Sequence, residues 1–135
     1  MRMDPLARFE PDQLEELLMR GASGVYIHEA SARLLLRHGY WLPRPEFVPF
    51  VALYGDPVDA IGIRWKEAVE ALDAGRLAGP PEAESVLRIG ASICTFYKMC
   101  LREEIENLTQ DSVEMVAEAV MYAASFLSSR AEARI

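Results

Sequence analysis

The chain is 135 residues long, carries a formal net charge of −7, and is 51 % hydrophobic and 26 % charged. This balance is typical of a folded domain and excludes intrinsic disorder, and the acidic character disfavours nucleic acid or an anionic membrane as partner of the whole surface. Two cysteines are too few for a disulfide scaffold, and no apolar run approaches the length of a transmembrane helix. We therefore expect a single helical domain over residues 1–135, acting in the cytoplasm.

The first forty residues predict two helices. Pro11 suits the first turn of a helix, whose apolar stripe ends before Gly21. Ser23 is expected to cap a second helix, which runs to about His38 and stops at Gly39.

Residues 39–57 are predicted to be irregular. Pro43, Pro45 and Pro49 interrupt any helix here, because proline lacks the amide hydrogen and restricts the residue before it. A small hairpin is the alternative, since the local valine, phenylalanine and tyrosine content favours strand.

The remaining sequence predicts three further helices. Asp56 with Pro57 forms a helix-start pattern, and that helix is expected to reach about Ala74. A central helix, apolar on most sides, is expected from Pro81 to about Asn107. The fold class predicted from these elements is all-α, a compact bundle of about five helices.

The last helix is expected to start at Thr109 or Asp111. Its apolar residues recur at alternating spacings of three and four, with alanines beside them, so that another helix can approach closely. Two methionines lie on otherwise polar helix stripes, which indicates either isolated exposed residues or an oligomer interface. The candidate interaction residues are Met99, Val113, Val120, Met121 and Leu127.

The sequence contains no recognisable catalytic or metal-binding motif. His28 and His38 lie on one predicted helix, about 15 Å apart along its axis, which is too far to hold one ion. Cys94 and Cys100 are interpreted as small apolar side chains, because their helical spacing cannot form a disulfide. We predict no catalytic residue, no metal and no cofactor.

One stretch of this acidic chain is locally basic. Two arginines share a helical face, and a third follows after a pair of aromatic residues. Such an arrangement binds phosphate or stacks on bases, whereas the simpler alternative is pairing with acidic side chains of residues 56–73. The candidate anion- or ligand-binding residues are Arg33, Arg37, His38, Tyr40, Trp41 and Arg44.

Residues 63–77 and 84–92 carry a pattern that is similar to one in short bacterial helical proteins. A helix led by Trp65 ends in LDAGRL, of the form LDxGxL, and after a proline-containing linker comes ESVLRIGAS, of the form ExVLRIxAS. The chain resembles these proteins over residues 40–125. The resemblance implies a small helical domain and assigns no catalytic residue, because those proteins have no established activity.

The leading functional hypothesis is a non-enzymatic interaction or regulatory protein, acting as a homodimer or as the small partner of a larger protein. It rests on the small residues of the last helix and on the two methionines at polar faces. The alternative is a small-molecule-binding helical protein with an apolar pocket near the aromatic residues of segment 40–54.

Overall fold

The computed structural model describes residues 6–124, which are mainly helical. Five helices of nine residues or more and one short helix are joined by a 3-10 turn and a hairpin. In chain order the elements are α1 (Pro11–Gly21), α2 (Tyr26–His38), a 3-10 helix (Pro45–Phe50), β1 (Val51–Tyr54), β2 (Ala60–Ile63), α3 (Trp65–Asp73), α4 (Pro81–Cys94), α5 (Leu101–Ile105) and α6 (Gln110–Ala123). Within this part of the chain, no helix is long and apolar enough to cross a membrane.

The fold is mainly helical but not purely all-α, because β1 and β2 form an antiparallel hairpin. A small hairpin was the alternative expected within residues 39–57, but β2 lies beyond that segment. The strands pair from Val51 opposite Ile63 to Tyr54 opposite Ala60. The helix expected from Asp56 therefore begins only after the hairpin. Tertiary packing decides the outcome, since strand β2 lies against α1 and its Ile61 is completely buried there.

The central helix is also shorter than predicted. Helix α4 ends at Cys94, and Thr95 is extended instead of continuing to Asn107. The Thr95 hydroxyl donates a 2.6 Å hydrogen bond to the carbonyl of Ala91 and accepts one from the amide of Tyr97. These local bonds stabilise a turn in place of the helix.

Other helix ends agree more closely with the sequence. Helix α2 ends at His38, and Gly39 adopts the left-handed conformation that stops a helix. Helix α6 is capped by Thr109, which forms a capping box with Ser112. Helix α2 begins two residues later than expected for a Ser23 cap, because Ser23 itself has a positive φ of 55°.

Helix α2 lies at the centre of the molecule. It packs against α1, α4 and α6, and its buried side chains divide the core into two clusters. One cluster joins Trp41 and Phe47 to α1, α3 and α4, while the other joins Leu34 to Val86 and Val116. The second cluster fixes α4 beside α6, and the candidate site lies along that pair of helices.

Candidate interaction surface

An apolar groove runs along the outer side of α4, α5 and α6. We call it the α4–α6 groove; it has a volume of about 290 Å³. Its lining contains a single polar side chain, that of Ser92. The lining residues are Ile89, Ser92, Ile93, Met99, Leu101, Ile105, Leu108, Val113, Val116, Ala117 and Val120.

Helix α5 is held over α4 by a buried carboxylate. Glu104 is 7 % exposed, accepts a 2.9 Å hydrogen bond from the Ser85 hydroxyl, and lies 3.4 Å from the guanidinium of Arg88. Because Glu104 points inward on this five-residue helix, Leu101 and Ile105 occupy its groove side, where each is about half exposed. A polar contact on one face of α5 therefore places apolar side chains on the other.

The start of α6 is held to α4 by a second carboxylate. Glu82 accepts hydrogen bonds from the backbone amide of Thr109 at 3.2 Å and from the Ser112 hydroxyl at 3.1 Å, and it faces His38 at 3.1 Å. Hydrogen bonds from Thr109 and then His38 lower the pKa of Glu82 from 4.5 to about 2. The carboxylate thus stays ionised and fixes the register of α6 on α4.

Phe96 is the most exposed large apolar side chain of the described residues. It lies between α4 and α5, and its side chain is fully exposed, at 102 % of the reference area. Its neighbour Tyr97 is turned toward α3, where its hydroxyl donates a 3.0 Å hydrogen bond to Asp73. Tyr97 therefore anchors the loop, while Phe96 points into solvent between Ile93 and Met99 in the chain, which both line the groove.

The structure brings three of the five predicted interaction residues together. Met99, Val113 and Val120 line the α4–α6 groove, and both valines are more than 40 % exposed. Met121 is exposed on another side of α6, where it lines a groove facing α2. Leu127 lies outside the described residues.

The structure separates the predicted anion- or ligand-binding residues into two groups. Arg33 and Arg37 line the groove between α2 and α6, which has a volume of about 330 Å³. Arg37 forms an ion pair with Glu118, and Arg33 lies 3.9 Å from Glu15 and over the ring of Tyr122. These acidic partners belong to α1 and α6, not to residues 56–73 as the sequence suggested, and they compete with any external anion.

The other members of that set belong to the core or to its edge. His38 contacts Glu82, and the Trp41 side chain is 1 % exposed. The guanidinium of Arg44 lies 4.2 Å from the ring centre of Tyr40, which in turn packs edge-on against Trp41. These aromatic rings therefore cover the core, and Arg44 stacks at their outer edge.

Sequence reasoning missed Phe96, Leu101 and Ile105 as surface residues. It placed all three on one long apolar helix that would be buried. The pattern that marks the break is Thr95 followed by two aromatic residues, since β-branched and aromatic side chains have low helix propensity and threonine competes for backbone hydrogen bonds.

No protein-family model matches this sequence, and comparisons with curated proteins and with solved structures found no significant similarity. The resemblance to short bacterial helical proteins accordingly stays a prediction.

Proposed function

We propose that this protein is a non-enzymatic helical interaction or regulatory module that binds another protein surface through the α4–α6 groove, as a homodimer or as the small partner of a larger protein. The observation that carries the proposal is the group of exposed apolar side chains around one apolar groove. The exposed members of this group are Phe96, Leu101, Ile105, Val113 and Val120.

The energetics favour burial of this group by a partner. Apolar area removed from water contributes about 25 cal/mol per Å², and scattered single exposed side chains are ordinary, but a contiguous apolar patch is typical of an interaction site. The two carboxylates next to the groove stabilise the fold, because Glu104 and Glu82 each accept a hydrogen bond from a serine of the same chain. We also propose a reducing, cytoplasmic setting, in which both cysteines stay free.

Native mass spectrometry of protein purified gently from its own host tests the proposal. Wild-type protein is expected at a mass above 15.1 kDa, either as a multiple or with a second protein. Val113→Glu introduces a charge at the groove and should abolish the added mass, while the glutamate suits the first turns of α6.

Val25→Glu is the matched control, because Val25 is equally exposed, at 43 %, but lies at the start of α2 away from the groove. It should keep the complex. A wild-type protein that is always found as a bare 15.1 kDa monomer would overturn the proposal, as would loss of the complex in both variants.

A second candidate function is binding of a small molecule. It is favoured by a groove of about 360 Å³ between α1, β2 and the start of α3, lined in part by His28, Tyr54, Trp65 and Thr95. Of the aromatic residues in segment 40–54, only Tyr54 lines this groove. A ligand there should raise the melting temperature and change tryptophan fluorescence.

A screen of nucleotides, amino acids and carboxylic acids tests this second candidate. A true ligand should give a shift in melting temperature that His28→Ala removes and that Arg33→Ala, in a different groove, leaves intact. A screen in which no compound shifts the melting temperature would count against this function.

A further inference from the structure

The α4–α6 groove has two ends of opposite charge. Helices α4 and α6 start side by side, because Glu82 near the start of α4 binds Ser112 in the first turn of α6. Helix α5 runs back along them, since Glu104 near its end binds Ser85 near the start of α4. One end of the groove is therefore formed by Ile105, Leu108 and Val113, and the other by Ile93, Met99, Leu101 and Val120.

Four exposed ionic side chains follow this division along the chain, whereas Glu103 lies on the side of α5 away from Leu101 and Ile105, and Glu118 is paired with Arg37. Lys98 and Arg102 are next in the chain to Met99 and Leu101 of the second end, and Phe96 lies between Ile93 and Met99. Glu106 and Glu114 are next in the chain to Ile105 and Val113 of the first end. Among the described residues none of these four charged side chains has an ion-pair partner, so each is available to a partner molecule.

We propose that the α4–α6 groove is the interface of a two-fold homodimer, in which two copies pack antiparallel and Phe96 of each copy inserts at the Val113 end of the other copy's groove. This inference rests on the proposed function and names its partner. A two-fold interface uses the same patch on both copies, so the patch must be complementary to itself. A groove with a protruding apolar ring and a basic group at one end, and acidic groups at the other, meets that requirement.

The size of the groove fits the ring that would enter it. A closed apolar cavity of about 150 Å³ is enough to bind benzene. The α4–α6 groove has a volume of about 290 Å³, which exceeds the volume that one phenylalanine ring requires. A buried aromatic anchor of this kind supplies a large share of the binding energy at an interface.

The apolar area is sufficient for a dimer. Judged from their exposed fractions, the five exposed apolar residues around the groove present on the order of 600 Å² per copy. If this area were covered completely, two copies would bury about 1,200 Å², the lower end of specific interfaces. The charges favour the antiparallel arrangement, because it brings Arg102 of each copy near Glu114 of the other and so forms two opposite-charge pairs.

A charge-swap experiment on the full chain tests the orientation. Sedimentation equilibrium should show a species of twice 15.1 kDa for the wild type. Arg102→Glu and Glu114→Arg should each weaken self-association about tenfold or more, since two opposite-charge pairs become two like-charge pairs. An equimolar mixture of the two variants should regain the wild-type affinity, because the mixed dimer restores both opposite-charge pairs.

Phe96→Ala tests the anchor and should weaken self-association by more than about thirtyfold. Because Phe96 makes no core contact, circular dichroism and the free energy of unfolding should stay unchanged. Ile27→Ala removes an apolar side chain that is 38 % exposed near the start of α2, away from this groove, and is the control that should leave dimerisation intact.

Three outcomes would overturn the homodimer. The homodimer is refuted if the purified wild-type protein stays monomeric up to about 100 µM, a concentration at which even a weak dimer assembles. In that case a complex with another protein in the native mass spectrum would still support the proposed function. A chain that dimerises only after removal of residues 125–135 would assign the groove to that segment. A charge-swap mixture that stays as weak as its components refutes the antiparallel arrangement.

Discussion

The indole nitrogen of Trp41 donates a 2.7 Å hydrogen bond to the carbonyl oxygen of Ala83 in the first turn of α4. The same indole packs against the ring of Phe47, with 5.7 Å between ring centres, and both side chains are almost fully buried. The aromatic segment is thus tied directly to the helix that carries the groove. A residue that the sequence placed in a candidate ligand site is in this structure a core residue that joins the aromatic segment to α4.

Trp41→Phe should therefore lower the free energy of unfolding by about 2–3 kcal/mol, because it removes a buried hydrogen bond and leaves part of the indole volume empty. Urea denaturation measures the change. Tyr40→Phe, at the neighbouring and partly exposed position, is the control and should cost less than about 0.5 kcal/mol. Equal losses in the two variants would contradict this role of the indole.

The carboxylate of Glu82 should make stability depend on pH. Its pKa is lowered to about 2 in the folded chain, so its contribution is fully present above pH 4.5 and is lost as the pH falls toward 2. Glu82→Gln should cost about 1–2 kcal/mol at pH 7, because hydrogen bonds to a charged acceptor are weakened. Denaturation curves at several pH values measure both effects.

The result that tests this role of Glu82 is how steeply the free energy of unfolding falls as the pH is lowered below 4.5. Glu82→Gln should flatten the decline in the free energy of unfolding, whereas Glu70→Gln, at an exposed position on α3, should leave it unchanged. If both variants keep the wild-type slope, Glu82 is not the group that couples protonation to stability.

Gly21 should tolerate no side chain. A Cβ atom at this position would lie 1.9 Å from the carbonyl oxygen of Ile61, where α1 packs on the hairpin. Gly21→Ala should cost about 2–3 kcal/mol, since backbone must move to relieve the overlap. Gly24→Ala faces open space and carries only the strain of a positive φ, so its cost should be about 1 kcal/mol. If Gly24→Ala lowered the melting temperature more than Gly21→Ala, the result would contradict this packing of α1 on the hairpin.

The two thiols should differ sharply in reactivity. Burial raises the pKa of the Cys94 thiol to about 11, while Cys100 is exposed. A disulfide reagent at pH 8 should therefore modify one thiol per chain quickly and the second only after unfolding. In Cys100→Ser the fast reaction should disappear. A fast reaction that persists in this variant would show that Cys94 is accessible.

Some of this fold is readable from local sequence. Thr109 before α6, Gly39 after α2 and Pro11 in the first turn of α1 mark helix ends, because caps and stops depend on the side chain and backbone of one residue. The small residues and valines of α6 also predict a surface on which another helix packs, and in the structure Val113 and Val120 of that surface are exposed in the groove. These features depend on spacing along one helix.

Two decisive features depend on contacts between elements. Ile61 and its neighbours form a strand because α1 offers them a surface, although the Asp56-Pro57 pattern resembles a helix start. The groove exists because α4 stops at Thr95 and Glu104 binds Ser85, which turns Leu101 and Ile105 outward. Periodicity shows which residues share a helical face, but which face is covered depends on distant residues packed against it. That is why the sequence alone determined the helical class, while only the tertiary structure decided where apolar side chains meet solvent.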